Sequence, residues 1–160
     1  MPNLVVVKVG TLGKVTAFNC CGSTHVIFDV VGWYGPAGTD GTLFRSLSPA
    51  RIMDTRIGLG WSGKIGPNAT ATIDVTGVGG VPASAKAVVI NTTVTEPSDF
   101  SYLTVYPSGV SRPLASNLNF APGQTVPNLV MVKVGLDGNV KVYNAVGQTH
   151  VIFDVVGYFE

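Results

Sequence analysis

The sequence predicts an all-β protein, on three observations. Short runs rich in Val, Ile, Thr, Tyr and Phe alternate with Gly, Pro, Asn and Asp. No segment sustains the three-and-four apolar spacing of an amphipathic helix. Turn residues recur at intervals of about 8–12, the rhythm of a sandwich or barrel. The expected fold is a β-sandwich of jelly-roll-like antiparallel sheets.

The expected strands, in order, are 51–54, 70–76, 86–95, 101–106, 115–120, 128–134, 139–145 and 149–158. The runs near 86–91 and 149–156 are almost continuously apolar, so both faces should be covered and both strands central. Gly77–Pro82 is a loop ahead of the strand that follows it, and Pro107–Ser108–Gly109 closes the run Ser101–Tyr106. Asp137–Gly138 stands between two alternating runs and predicts a tight hairpin, because both residues accept positive φ cheaply.

One segment occurs twice. Residues 2–34 read PNLVVVKVGTLGKVTAFNCCGSTHVIFDVVGWY, and residues 127–159 read PNLVMVKVGLDGNVKVYNAVGQTHVIFDVVGYF. Roughly two-thirds of the positions agree, at a spacing of about one domain length. The first copy predicts three further strands near 3–9, 14–19 and 24–33. The chain thus divides into residues 1–36, the closing portion of a preceding repeat; residues 37–44, a linker centred on the Gly-rich stretch Gly35–Gly41; and residues 45–160, one complete sandwich. Three strands with one apolar face are marginal alone in water. Residues 1–36 are therefore expected to find cover, on their own chain, on a neighbouring repeat, or in a homo-oligomer.

Bulk composition narrows the function. The net charge is +1 and only 12% of residues are charged, with no Lys/Arg cluster to neutralise phosphates, so nucleic acid is not an expected partner. No apolar run reaches the length of a membrane-spanning helix, and membrane insertion is not expected. The two cysteines, Cys20 and Cys21, are adjacent, so a disulfide between them is strained and a four-ligand zinc site is out of reach. No metal or cofactor is expected. There is no GxSxG elbow, phosphate loop or HExxH.

The polar residues inside apolar strands are the candidate site. His150 and Asp154 share one strand face but lie roughly 13–14 Å apart, too far for a catalytic hydrogen bond. His25 and Asp29 repeat them in the first copy. Asp54 lies close to Arg51 and Arg56 in RIMDTRIGLG, where guanidinium forks can hold carboxylates. A structural polar network is expected from Arg51, Asp54, Arg56, His150 and Asp154, with His25 and Asp29 its counterparts. A ligand, if one binds, should meet Asp54, Arg56, Trp61, Tyr102, Asn117 and Asn119, since Asn and exposed aromatics read sugar hydroxyls and rings. Asn68–Ala69–Thr70 and Asn91–Thr92–Thr93 match the short glycosylation triplet.

Taken in order, RIMDTRIGLG, GVGGVPASAKAVVINTTVTEP, YLTVYPSG, RPLASNLNFAPGQTVPNLVMVKVG and THVIFDVVGYF resemble a repeat found in secreted and surface-attached proteins of actinobacteria. The resemblance covers residues 45–159 as one unit and residues 2–34 as the tail of another. It implies a non-catalytic, β-rich module in an extracellular or cell-surface tandem array. Many members carry a disulfide between the turn after YP and a later strand. Here those places hold Ser108 and either Val140 or Val142, so the resemblance implies stability from packing alone.

The expected function is a non-catalytic structural or adhesive module, partnered by itself or by neighbouring repeats. A carbohydrate- or cell-wall-binding module, with polysaccharide as partner, is the alternative. A small hydrolase using His150 or His25 is the second alternative.

Overall fold

The computed structural model describes residues 2–35 and 41–160. Among these residues eight strands form two sheets: β1 (Phe44–Asp54), β2 (Ala69–Asp74), β3 (Ala87–Thr95), β4 (Ser101–Pro107), β5 (Leu118–Phe120), β6 (Val126–Lys133), β7 (Asn139–Asn144) and β8 (His150–Phe159). One sheet has the order β1-β8-β3-β6 and the other β2-β7-β4-β5, and every pairing is antiparallel. This is the expected all-β sandwich.

Alternation builds the core between the sheets. Val88, Ile90 and Val94 of β3 and Val151, Phe153 and Val155 of β8 point inward. They meet Ile73 of β2, Leu103 of β4 and Val140 and Val142 of β7. Phe153, Ile90 and Leu103 are wholly buried. The two nearly continuous apolar runs became β3 and β8, the two inner strands of their sheet.

Three expectations are corrected. First, Asp137–Gly138 does turn the chain, with Gly138 at φ 81°, but it closes no hairpin. β6 pairs with β3 in one sheet, whereas β7 pairs with β2 and β4 in the other. The turn carries the chain across the sandwich. Second, β1 starts at Phe44, so the expected linker 37–44 loses its last residue to a strand; residues 37–40 of that linker lie outside the described residues. Pro49 hid the front half of β1, and the ladder accommodates it by a register shift between Ser46 and Ala50. The expected strand 115–120 also shortens, to Leu118–Phe120.

Third, the strands expected at 3–9, 14–19 and 24–33 do not form. Residues 2–35 contain one short 3-10 turn, Thr11–Gly13, and no strand. The reason lies in the sandwich topology. The equivalents of these three segments are β6, β7 and β8, and none of those pairs with another. Their ladder partners are β1, β2, β3 and β4, all of which lie within residues 44–107. A second closing segment therefore carries strand sequences without strand partners, and Val5, Phe18, Ile27, Phe28 and Trp33 stay exposed.

Candidate functional site

Where β1 meets β8, charge is concentrated in an otherwise apolar sheet. Arg51 pairs with Asp154 across the β1–β8 ladder. Its Nε donates to Asp154 Oδ1 at 2.8 Å and its Nη2 to Asp154 Oδ2 at 3.2 Å, a two-pronged fork. Arg51 Nη1 also donates to Asp54 Oδ2 at 3.2 Å. Asp54 takes two further guanidinium bonds from Arg56, Nε at 2.9 Å and Nη2 at 2.7 Å, and a backbone bond from Arg56 N–H at 3.1 Å.

Asp54 is only 1% exposed. The Arg56 hydrogen bonds outweigh burial and hold its carboxyl well below the usual range, at about 2. Its oxygens are committed to these two arginines and to the loop amide.

Thr55 and His150 complete this corner. The buried Thr55 Oγ1 accepts the Val151 N–H at 3.0 Å and meets His150 Nδ1 at 2.8 Å. Burial, the largest influence, lowers the His150 pKa and favours the neutral ring. A neutral Nδ1 can then accept the Thr55 hydroxyl proton. His150 and Asp154 share the β8 face, but each bonds to a different neighbour.

The remaining expected ligand residues lie elsewhere. Trp61 sits in the loop after β1 and is 39% exposed. Asn117 is spent on the backbone, its Oδ1 accepting Val105 N–H at 2.7 Å. Tyr102 and Asn119 face each other across the β4–β5 ladder, on the outer side of the second sheet. The six candidates therefore divide between separate regions and do not converge. His25 and Asp29 lie in the exposed first copy, apart from the charged corner.

The outer side of the second sheet holds residues that sequence reasoning passed over. Arg112 lies 4.0 Å above the Tyr143 ring and its Nη1 is 3.4 Å from the Tyr102 hydroxyl. The Tyr143 hydroxyl donates to Asn68 Oδ1 at 2.9 Å. The loop after β4 folds over this face, and Thr104 bonds to Ala115 O at 2.6 Å. Arg112 sits in a loop without periodicity, so nothing local announced it.

Asn144 was also missed. From the end of β7 its Nδ2 reaches four carbonyls, of Ile65, Gly66, Val146 and Gly147, at 3.0–3.2 Å. Its Oδ1 accepts the Ser101 hydroxyl at 2.8 Å. Its presence in both copies, as Asn19 and Asn144, was the available signal.

No protein-family model matches the chain, and no curated protein matches it.

Proposed function

We propose that the protein is a non-catalytic structural or adhesive repeat module of an extracellular or cell-surface tandem array. One observation carries this reading: the chain holds two closing segments, 2–34 and 127–159, and a single set of strands, β1 to β5, for them to close. A surplus closing segment is what a repeat boundary inside an array produces. The order of motifs that resembles an actinobacterial surface repeat points the same way. The charged corner then serves as a clamp fastening β1 to β8, and the partners are neighbouring repeats or other copies of the chain.

A designed chain that places a second copy of residues 41–126 ahead of residue 1 tests this. Two sandwiches should fold, and the amides of residues 2–35 should become protected against hydrogen exchange. If those amides exchange as fast as before, the array reading fails.

Carbohydrate binding is the second reading, favoured by Tyr102 and Arg112 beside the exposed Asn119. Retention of the protein on insoluble cellulose, chitin or peptidoglycan, lost in Tyr102→Ala, would support it. No retention on any of the three would discard it.

A further inference from the structure

We propose that residues 2–34 are a second closing segment for this chain's own sandwich, able to take the places of β6, β7 and β8 and release residues 127–160. The acceptor is the groove those strands now fill: beside β3, between β2 and β4, and between β1 and β3. This rests on the duplication and the topology, not on an adhesive role.

The first support is local geometry. Although it forms no strand, the first copy already makes turn hydrogen bonds of the second, with Leu12 at a left-handed φ that Asp137 does not share. Gly10 N–H bonds to Lys14 O at 2.9 Å and Gly13 N–H to Gly10 O at 3.2 Å. The equivalent bonds, Gly135 to Asn139 and Gly138 to Gly135, measure 2.9 and 3.0 Å. Asn19 Nδ2 donates to Cys21 O and Gly22 O, as Asn144 does to Val146 O and Gly147 O. Gly22 and Gly147 share a left-handed φ, 66° and 59°. The bonds that Asn19 lacks are those that the acceptor strands and loops would supply, from Ile65, Gly66 and Ser101.

The second support is side-chain identity at the contacts that matter. Phe28, Val26 and Val30 match the buried Phe153, Val151 and Val155. Asp29 stands where Asp154 receives the Arg51 fork, and His25 where His150 meets Thr55. The polar clamp would be rebuilt along with the core.

The third is reach. Phe159 pairs with Phe44 at the start of β1, and Leu43 and Glu160 exchange backbone bonds of 2.8 and 3.2 Å. Tyr34, the equivalent of Phe159, already has its ring 6.5 Å from the Phe159 ring. In the exchanged form residues 35–43 need only bridge neighbouring antiparallel strands about 5 Å apart, well within their extended reach of about 30 Å.

Three differences in β7 and its turn favour the resident copy. The first copy has Ala17 for Val142, leaving the core short of two methyl groups. It has Phe18 for Tyr143, without the hydroxyl that bonds to Asn68. It has Leu12, at a left-handed φ of 60°, for Asp137, which accepts from Ser108. Both β7 and β8 are inner strands, so exchange requires both sheets to open and is decided at folding.

The test is limited proteolysis with a broad-specificity protease, fragments read by mass spectrometry. The parent should yield a resistant core of about residues 41–160. Phe153→Asp disables the resident strand, and its resistant core should move to about residues 2–126, in a monomer. Asn144→Ala, gentler and with Asn19 intact, should raise that fragment at least tenfold over the parent. Adding Phe28→Asp to Phe153→Asp should leave no resistant core. The proposal is overturned if Phe153→Asp and the double variant are digested alike and Asn144→Ala gives no such fragment. It is equally overturned if the 2–126 core appears only in dimers.

Discussion

Asp54 carries a charge while almost wholly out of contact with water, and that is tolerable only because two guanidinium groups face it. Its folded pKa of about 2 lies below its ordinary 3.8. The stability it contributes is therefore complete above about pH 4 and is lost as the pH falls from there toward 2. Acid unfolding followed by tryptophan fluorescence should show this limb, and Asp54→Asn should flatten it. The same variant, measured in urea at neutral pH, should lose about 1.5–3 kcal/mol, the range for hydrogen bonds to charged groups. Thr92 is the opposite case. It points from β3 into the core, is fully buried, and its hydroxyl has no partner among the described residues. Thr92→Val removes a desolvated hydroxyl at constant shape, so the unfolding free energy measured in urea should hold or rise, by up to about 1 kcal/mol. At this scale the sequence was readable for charge. Arg51, Asp54, Arg56 and Asp154 could be singled out, because charges in an apolar strand need partners. Arg51 and Arg56 stood as candidate partners for both carboxylates, but which of them takes Asp154 could not be read, because Arg51 and Asp154 meet only through the β1–β8 register.

The elements show where local chemistry ends. Turn residues placed nearly every chain reversal, yet Asp137–Gly138 joins two sheets and not two paired strands. A turn sets where the chain bends; the hydrophobic faces on either side decide which sheet receives it. The loop Gly77–Pro82 makes a related point. Gly79 has φ 58°, and a Cβ there would stand 2.7 Å from Ile52 Cγ2 and 2.8 Å from Val155 Cγ1. Gly79→Ala should therefore cost about 1–3 kcal/mol, through backbone strain and a forced shift of β1 against β8. Chemical denaturation compared with Gly77→Ala checks it: Gly77 has similar φ but nothing near its missing Cβ. Equal losses at both positions would mean that φ alone matters and the packing of this loop does not.

For the whole molecule the ratio of parts is decisive. There are two closing segments and one acceptor, so exchange between molecules always leaves one segment over for every chain. Swapped dimers cannot bury it. Among the described residues no hydrogen bond joins residues 2–35 to the sandwich. They approach it in a hollow lined by Pro2, Leu4 and Ile27 together with Asn117 and Met131, and at the Tyr34 ring, near Phe159. Removing residues 2–35 should thus leave the unfolding free energy measured in urea unchanged to within about 0.5 kcal/mol. It should also remove an apolar surface that favours association. Light scattering should rise with concentration past the dimer for the full chain, and stay at the monomer for the trimmed one. A full chain that remains monomeric would show that the exposed segment is no adhesive surface.

The sequence by itself determined the class of fold, the position of each strand from β2 to β8 to within a few residues, the two inner strands, and the duplication. All of these follow from local pattern: alternation, turn chemistry and self-similarity. Only the tertiary structure decided that β6, β7 and β8 never pair with one another, and so that a copy of them alone stays without strands. A strand exists only through its hydrogen-bonded neighbour, and here each neighbour is supplied by a distant stretch of chain.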